Sequence, residues 1–321
     1  MVKPVLVDVD TGVDDALALL FLARHPGVDL LGATCVAGNT DVDRVARNTL
    51  GVLDLVGAGA VPVARGAERP LIEPRRPASG FHGEDGLAGL AIPASPRTVS
   101  DLPAVELLRR TVAESAAPVT LLALGPLTNV AMFIRLYPRE ASMLERIVFM
   151  GGSASVGNAS AVAEFNVWHD PEAAAIVLGA PVPVTMYGLD VFYVASIPAA
   201  EIAGLRGSED GALRFAGDLL DHCASFGSDD PRLAAGGIIG DAGAACSIVG
   251  PELVGTVSHP ASVELTGSSR GQTIIDRRSA PGEQELHGGD RQDRCIDVAM
   301  TVDATAMVDL FLGTIRGGKA V

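Results

Sequence analysis

The sequence predicts an α/β protein with a mostly parallel, doubly wound sheet that is flanked by helices. Two observations carry this prediction. Short β-branched segments alternate with helix-length amphipathic segments through the first half of the chain, and this βαβα order places strands in parallel. Hydrophobic residues make up 48% of the 321 residues and aromatic residues only 4%, a composition typical of buried parallel strands covered by helices.

The elements of the first part follow one another in order. Strands are predicted at residues 4–9, 29–36, 61–64, 119–124, 147–150 and 182–186. Helices are predicted at residues 14–24, 42–56, 102–114, 127–136 and 171–178. This order is typical of Rossmann-like sheets, in which ligands bind at the carboxyl ends of the strands.

The pattern changes from about residue 197 to helices followed by shorter strands. Helices are predicted at residues 211–226, 234–249 and 304–315, and strands at 262–265, 272–275 and 295–302. We interpret this part as a helical and short-strand C-terminal cap on the same core, so that residues 1–321 form a single domain. The segments 68–80 and 277–289 are predicted to be long loops, which are often functional in a compact enzyme.

The charge balance limits the possible partners. With 24 Lys and Arg against 39 Asp and Glu, the net charge is −15, which repels phosphate backbones and anionic lipid. Nucleic acid and membranes are therefore not expected as partners. No segment reaches the roughly 18 uninterrupted apolar residues that a membrane span requires. The same acidity attracts cations and leaves carboxylates that can hold one.

The cysteines and the N-terminus indicate a cytoplasmic protein. The four cysteines are widely separated and form no CxxC pair, so we expect reduced thiols: Cys35, Cys223, Cys246 and Cys295. The initiator methionine leads directly into a strand-like segment, without the features of a secretory leader.

Four carboxylates crowd the first strand-to-helix turn, residues 8–15. Asp14 and Asp15 can stabilise the N-terminus of the following helix, which is the structural alternative to a functional role. Capping requires only one acid, however, and four acids so close together repel one another unless a cation or protons neutralise them. The turn therefore favours a site for Ca²⁺ or Mg²⁺.

This turn and several later motifs resemble the inosine-uridine preferring nucleoside hydrolase family. The N-terminal pattern DxDxGxDDA is met by residues 8–16. Further motifs follow in the family's order over almost the whole chain: Gly38-Asn39, residues 80–87, residues 124–129, Gly151-Gly152, Gly157-Asn158, residues 163–166, residues 170–174, Asp241 and residues 273–276. Several separate motifs in one order are stronger support than any single motif.

The resemblance implies calcium-dependent hydrolysis of the N-glycosidic bond of ribonucleosides, giving ribose and a free nucleobase in nucleoside salvage. It implies four calcium ligands: Asp10, Asp15, the backbone carbonyl of Leu124, and Asp241. It implies five ribose-binding residues: Asp14, Asn39, Asn158, Glu164 and Asn166. These side chains suit hydroxyls that both donate and accept, although each asparagine taken singly would be interpreted as a turn residue. The family also implies a homodimer or homotetramer.

The reaction itself requires a particular arrangement of charge. Cleavage of the bond builds oxocarbenium character at the C1′ atom of the ribose, and water attacks from the face opposite the base. We expect a metal-bound water as nucleophile, with Asp10 as its general base. The remaining carboxylates would stabilise the positive charge on the sugar.

The chain departs from the family pattern at the leaving group. Many members carry a histidine directly before the last aspartate ligand, where this chain has Gly240. A glycine cannot protonate a departing base, so no base preference follows from the resemblance. His82 is the remaining candidate for catalysis and base contact, with a loop-organising hydrogen bond as its alternative. His222 and Arg232 have only positional support, and a packing role is preferred for Trp168.

Three other classes of protein remain as alternatives. A dehydrogenase is disfavoured because no GxGxxG follows the first strand. A metal-dependent phosphohydrolase fits the DxD pattern of Asp8 and Asp10, but the turn lacks an adjacent phosphate-binding Lys or Arg. A catalytically impaired nucleoside- or ribose-binding homologue is compatible with Gly240. An active hydrolase is preferred over it, because a missing acid costs on the order of 10²–10⁴-fold rather than the whole rate.

Overall fold

The centre of the molecule is a nine-stranded sheet covered by helices on both faces. The computed structural model describes residues 2–76, 78–226, 236–278 and 295–317. The strands, numbered in chain order, are β1 (Lys3–Val9), β2 (Val28–Cys35), β3 (Val63–Arg65), β4 (Thr120–Ala123), β5 (Arg146–Met150), β6 (Val184–Tyr187), β7 (Ser196–Ile197), β8 (Gly237–Ile238), β9 (Val254–Val263), β10 (Thr273–Ile275) and β11 (Cys295–Val302).

The helices connect these strands. They are α1 (Val13–Arg24), α2 (Val42–Leu55), α3 (Ser79–His82), α4 (Ala104–Glu114), α5 (Thr128–Leu136), α6 (Pro138–Ala141), α7 (Phe165–His169), α8 (Pro171–Leu178), α9 (Leu189–Phe192), α10 (Ala199–Arg206), α11 (Gly211–Phe226), α12 (Asp241–Val249) and α13 (Ala304–Gly317). Two short 3₁₀ turns lie at Pro251–Leu253 and Gly267–Ser269. Among the described helices, none combines the length and the apolar character needed to cross a lipid bilayer.

The strand order confirms the predicted doubly wound sheet. The sheet runs β3-β2-β1-β4-β5-β6-β11-β9-β10 and is parallel from β3 to β11. Its first six strands have the order 3-2-1-4-5-6, which reverses direction between β1 and β4. In such sheets the crevice at this reversal is the expected ligand site. Strands β9 and β10 extend the sheet in antiparallel fashion.

Alternate residues of the central strand β1 pack on opposite sides of the sheet. Val5, Val7 and Val9 lie in one apolar cluster with α1, and Leu6 lies in the other with α5. All four side chains are fully buried. This two-sided burial is the reason that the strand is almost continuously apolar.

The structure corrects two details of the predicted C-terminal cap. The helix predicted at residues 234–249 begins only at Asp241, because β8 precedes it and Gly240 adopts φ +52°, which no α-helix contains. The start of that predicted helix, residues 234 and 235, lies outside the described residues. Of the strand predicted at 262–265, only residues 262 and 263 are strand; they end the longer β9, in which residues 255–258 are exposed. Of the predicted loop 277–289, only Arg277 and Arg278 are described.

Candidate active site

A cavity of about 410 Å³ opens at the carboxyl ends of β1, β4 and β5, beside the reversal in strand order. Every predicted site residue except Asp15 lines this cavity: Asp10, Asp14, Asn39, His82, Leu124, Asn158, Glu164, Asn166 and Asp241. Asp15 lies beside it, in the first turn of α1. The structure therefore brings the residues of the separate motifs together in one place.

Carboxylates form the floor of the cavity. One oxygen from each of Asp14, Asp15 and Asp241 lies within 4.8 Å of the others. Asp10, Asp15 and Asp241 are buried, and Asp14 is partly buried. Burial raises the pKa values of Asp10 and Asp241 well above their usual range, and the charges of the neighbouring carboxylates raise them further. Burial also raises the pKa of Asp14 to about 7.

Backbone and amide groups orient two of these carboxylates. Asp15 accepts hydrogen bonds from the backbone N–H groups of Gly12, at 2.9 Å, and Asp10, at 3.2 Å. Asp10 accepts one from the backbone N–H of Asn39, at 2.8 Å. The Oδ1 atom of Asp241 is buried and has no hydrogen-bond partner among the described residues. A buried, unpartnered carboxylate oxygen within an acidic cluster fits a bound cation, and an all-oxygen donor set fits a hard one.

The tightest acidic group differs from the predicted ligand set in one member. It contains Asp14, whereas the resemblance implies Asp10. The predicted carbonyl ligand, Leu124, accepts a hydrogen bond from Asn166 Nδ2 at 2.7 Å. The predicted role of Asn166, contact with ribose, is compatible with its place on the cavity wall.

Glycines allow the close packing of this floor. A β-carbon at Gly38 would collide with Asp10 Oδ2, and one at Gly125 would lie 2.7 Å from Asp10 Oδ1. A β-carbon at Gly12 would lie 2.6 Å from Asn39 Nδ2 and would collide with the His82 ring. From the sequence, Gly12 and Gly38 were recognised only as positions in the family motifs, with no structural role assigned. Their structural role depends on contacts between segments, which no local pattern reveals.

Glu164 joins the polar wall to the fold. It caps α7, accepting from the N–H groups of Asn166 at 2.9 Å and Val167 at 3.1 Å, and it also accepts from Gly152 N–H at 2.9 Å. Burial nevertheless raises its pKa to about 7. Asn158 lies on the connection between β5 and α7, where its Oδ1 accepts from the N–H of Phe165 at 2.9 Å. Both residues thus have structural roles as well as places on the cavity wall.

His82 lies on α3 and is buried beside the acidic turn. Its Nδ1 accepts a hydrogen bond from the backbone N–H of Val13 at 3.1 Å, which is a loop-organising bond of the kind considered above. Burial and the nearby His222 lower the pKa of His82 to about 3. The ring is therefore neutral near neutral pH, with its proton on Nε2.

The other candidates from the sequence lie in different surroundings. His222 Nε2 is 2.9 Å from the carbonyl oxygen of Phe81. Trp168 does not line the cavity, and the Arg76 guanidinium lies 4.6 Å above its ring, which agrees with a packing role. Arg232 lies outside the described residues. Asp8 also faces away from the cavity: it accepts hydrogen bonds from Thr34 and Asn129, and burial raises its pKa to about 7.

The cavity also has an apolar wall, which was not predicted from the sequence. It is formed mainly by Phe81, Phe165, Phe192, Tyr193 and Ile238. These residues come from four separate segments, and several lie on one-turn helices with no periodic signal. The described lining residues include no Lys or Arg, the side chains that most often bind phosphate.

A Rossmann-type sheet with buried carboxylates, polar side chains and apolar residues around a cavity at its reversal is typical of enzymes that bind small ligands with polar and apolar parts. Comparison with known proteins identifies the member of this class. The family model described as inosine-uridine preferring nucleoside hydrolase matches residues 5–309. The chain belongs to this family and is a nucleoside hydrolase, an enzyme that cleaves the N-glycosidic bond of ribonucleosides.

Curated relatives and solved structures agree with this family. The pyrimidine-specific ribonucleoside hydrolase RihA of Shewanella woodyi is 36% identical over 285 residues, which cover 88% of this chain and 91% of the relative. The enzyme of the same name from Salmonella gallinarum is 37% identical over 311 residues, 97% of each chain. The purine-preferring ribonucleoside hydrolase from Gardnerella vaginalis has a TM-score of 0.88 and 30% identity, over 98% of both chains. An inosine-guanosine nucleoside hydrolase has a TM-score of 0.89 and 28% identity, over 100% of both chains.

Proposed function

We propose that this nucleoside hydrolase is calcium-dependent, that Asp10 is its general base, and that pyrimidine ribonucleosides are its preferred substrates. The observation that carries the proposal is the buried Asp241 Oδ1 atom, which has no hydrogen-bond partner in the described structure and lies in a cluster of carboxylates. So many buried negative charges are costly unless a cation neutralises them.

The proposed ligands are Asp10, Asp15, the carbonyl oxygen of Leu124, and Asp241, with Asp14 close enough to take part. Calcium prefers six to eight oxygen ligands, so water and two ribose hydroxyls would complete its shell. Calcium, when bound, would position the ribose and supply a water of modestly lowered pKa. Magnesium is less suited to this site, because it demands a stricter octahedral geometry.

The residues of this chain would perform the remaining steps. Asp10 would accept the proton of the attacking water, because its carboxylate is held between the Asn39 N–H and two close glycines. Asn39, Asn158, Glu164 and Asn166 would hold the ribose hydroxyls from the polar wall. The negative charge of the floor would stabilise the oxocarbenium character that develops at C1′.

The preference for pyrimidines is supported by the relatives and by one feature of the chain. The curated relatives at 36 to 38% identity are named as pyrimidine-specific. Gly240 supplies no acid at the position where many family members have a histidine. Leaving groups that depend less on protonation would therefore be favoured.

The test is release of ribose from uridine, cytidine, inosine, adenosine, guanosine and p-nitrophenyl riboside, with and without a calcium chelator. We expect chelator-sensitive hydrolysis that calcium restores, with kcat/KM highest among natural substrates for uridine or cytidine. Asp10→Asn should lower kcat by at least about 10²-fold, the usual contribution of a general base. Asp43→Asn, at an exposed ion pair with Arg65, is the matched control and should retain activity.

Each result bears on a separate part of the proposal. Hydrolysis that is insensitive to the chelator would contradict calcium dependence, and an active Asp10→Asn variant would contradict the assignment of the base. A higher kcat/KM for inosine would contradict the pyrimidine preference. Binding of nucleosides without release of ribose from any of them would support the catalytically impaired homologue.

Three expectations from the sequence complete the proposal. A homodimer or homotetramer is testable by sedimentation, and a single domain over residues 1–321 by cooperative thermal unfolding. A cytoplasmic location is testable by fractionation of cells that express the protein.

A further inference from the structure

We propose that Phe192 is a specificity-determining residue: together with Asp14, its ring fills the space that a side chain at position 240 would need, and it forms an aromatic contact for the departing nucleobase. The inference rests on the proposed function, because it assigns the leaving-group side of the same cavity. It concerns a residue that the family motifs do not include.

The backbone and the surroundings of Gly240 both exclude a side chain. Gly240 has φ +52°, a conformation that residues with a β-carbon rarely adopt. A β-carbon built at this position would lie 2.9 Å from each of Phe192 Cζ, Asp14 Cβ and Asp14 Oδ2. Asp14 is one of the carboxylate residues of the floor, whereas Phe192 is aromatic. Phe192 is therefore the apolar neighbour of Gly240. While both neighbours stay in place, position 240 can hold only glycine.

The position of Phe192 is fixed by its own element. The one-turn helix α9 follows β6, and the ring of Phe192 packs edge-on against Tyr193, with 5.0 Å between ring centroids. Asp190 in the same helix accepts hydrogen bonds from Ala154 N–H and from the Ser155 hydroxyl, both at 2.7 Å. These bonds join α9 to the connection after β5, which carries Asn158 in the polar wall. The aromatic wall and the ribose-binding wall are therefore held at a fixed separation.

The chemical consequence concerns the leaving group. Phe192, Tyr193 and Gly240 line the same cavity as Asp14 and His82. Among the described lining residues His82 is the only histidine, and its Nδ1 is occupied by the Val13 N–H. A nucleobase above the floor would thus meet an aromatic ring beside a glycine, which offers no acid. Aromatic contact retains the base without supplying a proton, so the rate should depend strongly on how readily the base departs by itself.

The first experiment measures the KM for uridine and the inhibition constant of free ribose for the variants Phe192→Leu and Phe192→Ala. Loss of an aromatic contact with the base should raise the KM for uridine on the order of ten-fold, the size expected for one stacking contact. The inhibition constant of free ribose, which lacks the base, should change by less than about two-fold. Val194→Ala, at an exposed residue just beyond α9, is the control and should match the unaltered enzyme.

Two outcomes would overturn this part. An equal rise in the uridine KM and in the ribose inhibition constant would show a merely structural effect on the site. An unchanged uridine KM would show that the ring does not contact the base.

The second experiment separates two effects of a side chain at position 240: its collision with neighbouring side chains and the strain of a positive φ. Gly240→Ala should lower the thermal midpoint more than Gly267→Ala, because Gly267 has a similar φ of +69° but no atom within 4 Å of its β-carbon position. Gly240→His should be tolerated better together with Phe192→Ala than alone. That double variant should also hydrolyse inosine with a pH dependence that Phe192→Ala lacks. Equal midpoints for Gly240→Ala and Gly267→Ala would overturn the steric argument.

Failure of the inference and failure of the proposed function remain distinguishable. Release of ribose from p-nitrophenyl riboside by the unaltered enzyme tests the function and does not involve residue 192. If that release does not occur, calorimetric binding of uridine and of ribose to the Phe192 variants still tests the contact. Equal losses in binding of uridine and of ribose would overturn it.

Discussion

Asp10 lies between two glycines, Gly38 and Gly125, that come from different strand ends. Neither glycine has a φ in the left-handed region, so both are required for space and not for backbone conformation. The Asp10 carboxylate can therefore approach the backbone closely, and Asn39 N–H fixes its direction. A single methyl group at either glycine would displace the proposed general base.

Gly38→Ala tests this arrangement. The added β-carbon would meet Asp10 Oδ2 and would lie 2.7 Å from Pro126 Cδ, a ring that cannot rotate away. We expect calcium affinity to fall and kcat/KM to fall by at least about 10²-fold, the usual effect of displacing a catalytic group. Calorimetry with calcium and the ribose assay measure the two effects. Gly204→Ala, where no atom lies within 4 Å, is the control, and equal activities of the two variants would refute the close packing.

Residue types in a fixed order predicted most of the site. Asp10, Asn39 and Asp241 lie where parallel strands end or a helix begins, so a sequence motif places them at one edge of the sheet. The aromatic wall escaped prediction, because Phe192 and Phe81 face the cavity only through contacts between distant segments. The structure brings these residues to one cavity, and the roles of all of them in metal binding, ribose binding or catalysis remain predictions.

At the scale of elements, the junction between α7 and α8 connects the polar wall to two other parts of the fold. Asp170 ends α7 and caps α8, accepting from Ala173 N–H at 3.1 Å. Its other oxygen accepts from the Thr128 hydroxyl on α5 at 2.6 Å and from Leu71 N–H at 2.9 Å. One buried carboxylate therefore holds two helices and the connection after β3.

Asp170→Ala should consequently cost more stability than the loss of an ordinary cap. We expect about 2–4 kcal/mol, because a cap is lost, the buried Thr128 hydroxyl is left without its acceptor, and the Leu71 N–H loses its bond as well. Asp303→Ala is the matched control: Asp303 is exposed and accepts from Ala306 N–H at the start of α13, so about 1 kcal/mol is expected. Urea denaturation measures both variants. Equal losses would contradict the connecting role of Asp170.

The elements that were predicted and those that were not differ in what stabilises them. The long helices, such as α2, have an apolar face that the sequence shows directly. The one-turn helices α3, α7 and α9 are too short for periodicity and depend on packing, and only α7 has a side-chain cap, Glu164. These three short helices carry His82, Asn166 and Phe192, so the least predictable elements hold part of the cavity wall.

At the scale of the whole molecule, the buried acids link stability to pH. Burial raises the pKa values of Asp8, Asp14 and Glu164 to about 7 and also raises those of Asp10 and Asp241. Between about pH 4 and pH 7, the folded chain without a cation therefore binds protons that the unfolded chain has released. Its stability falls as the pH rises through this range.

Bound calcium should counteract this loss of stability with rising pH. Because the cation replaces the bound protons, its stabilising effect should grow from pH 5 to pH 7. Thermal midpoints measured in chelator and in calcium at pH 5, 6, 7 and 8 test this. Asp241→Asn removes one buried acid and should give a shallower fall in chelator. A midpoint that rises from pH 5 to pH 7 in chelator, or a calcium effect independent of pH, would contradict the linkage.

The global topology was predicted only in part. The alternation of strands and helices predicted the parallel order through β6, because crossover connections are almost always right-handed. The antiparallel addition of β9 and β10 was not predicted, since a strand's direction depends on its partner and not on its own residues. For the same reason the sequence could not place β11 between β6 and β9.

The contact between Gly240 and Phe192 also limits the order in which this sequence can change over evolution. A histidine that appeared first at position 240 would meet both a glycine-restricted backbone and the Phe192 ring. A smaller residue at 192 would have to come first and would remove the Phe192 ring from the cavity wall before any acid replaced it. The two positions are therefore coupled, and their effects should not add. Lineages with glycine at 240 and phenylalanine at 192 would keep both residues together.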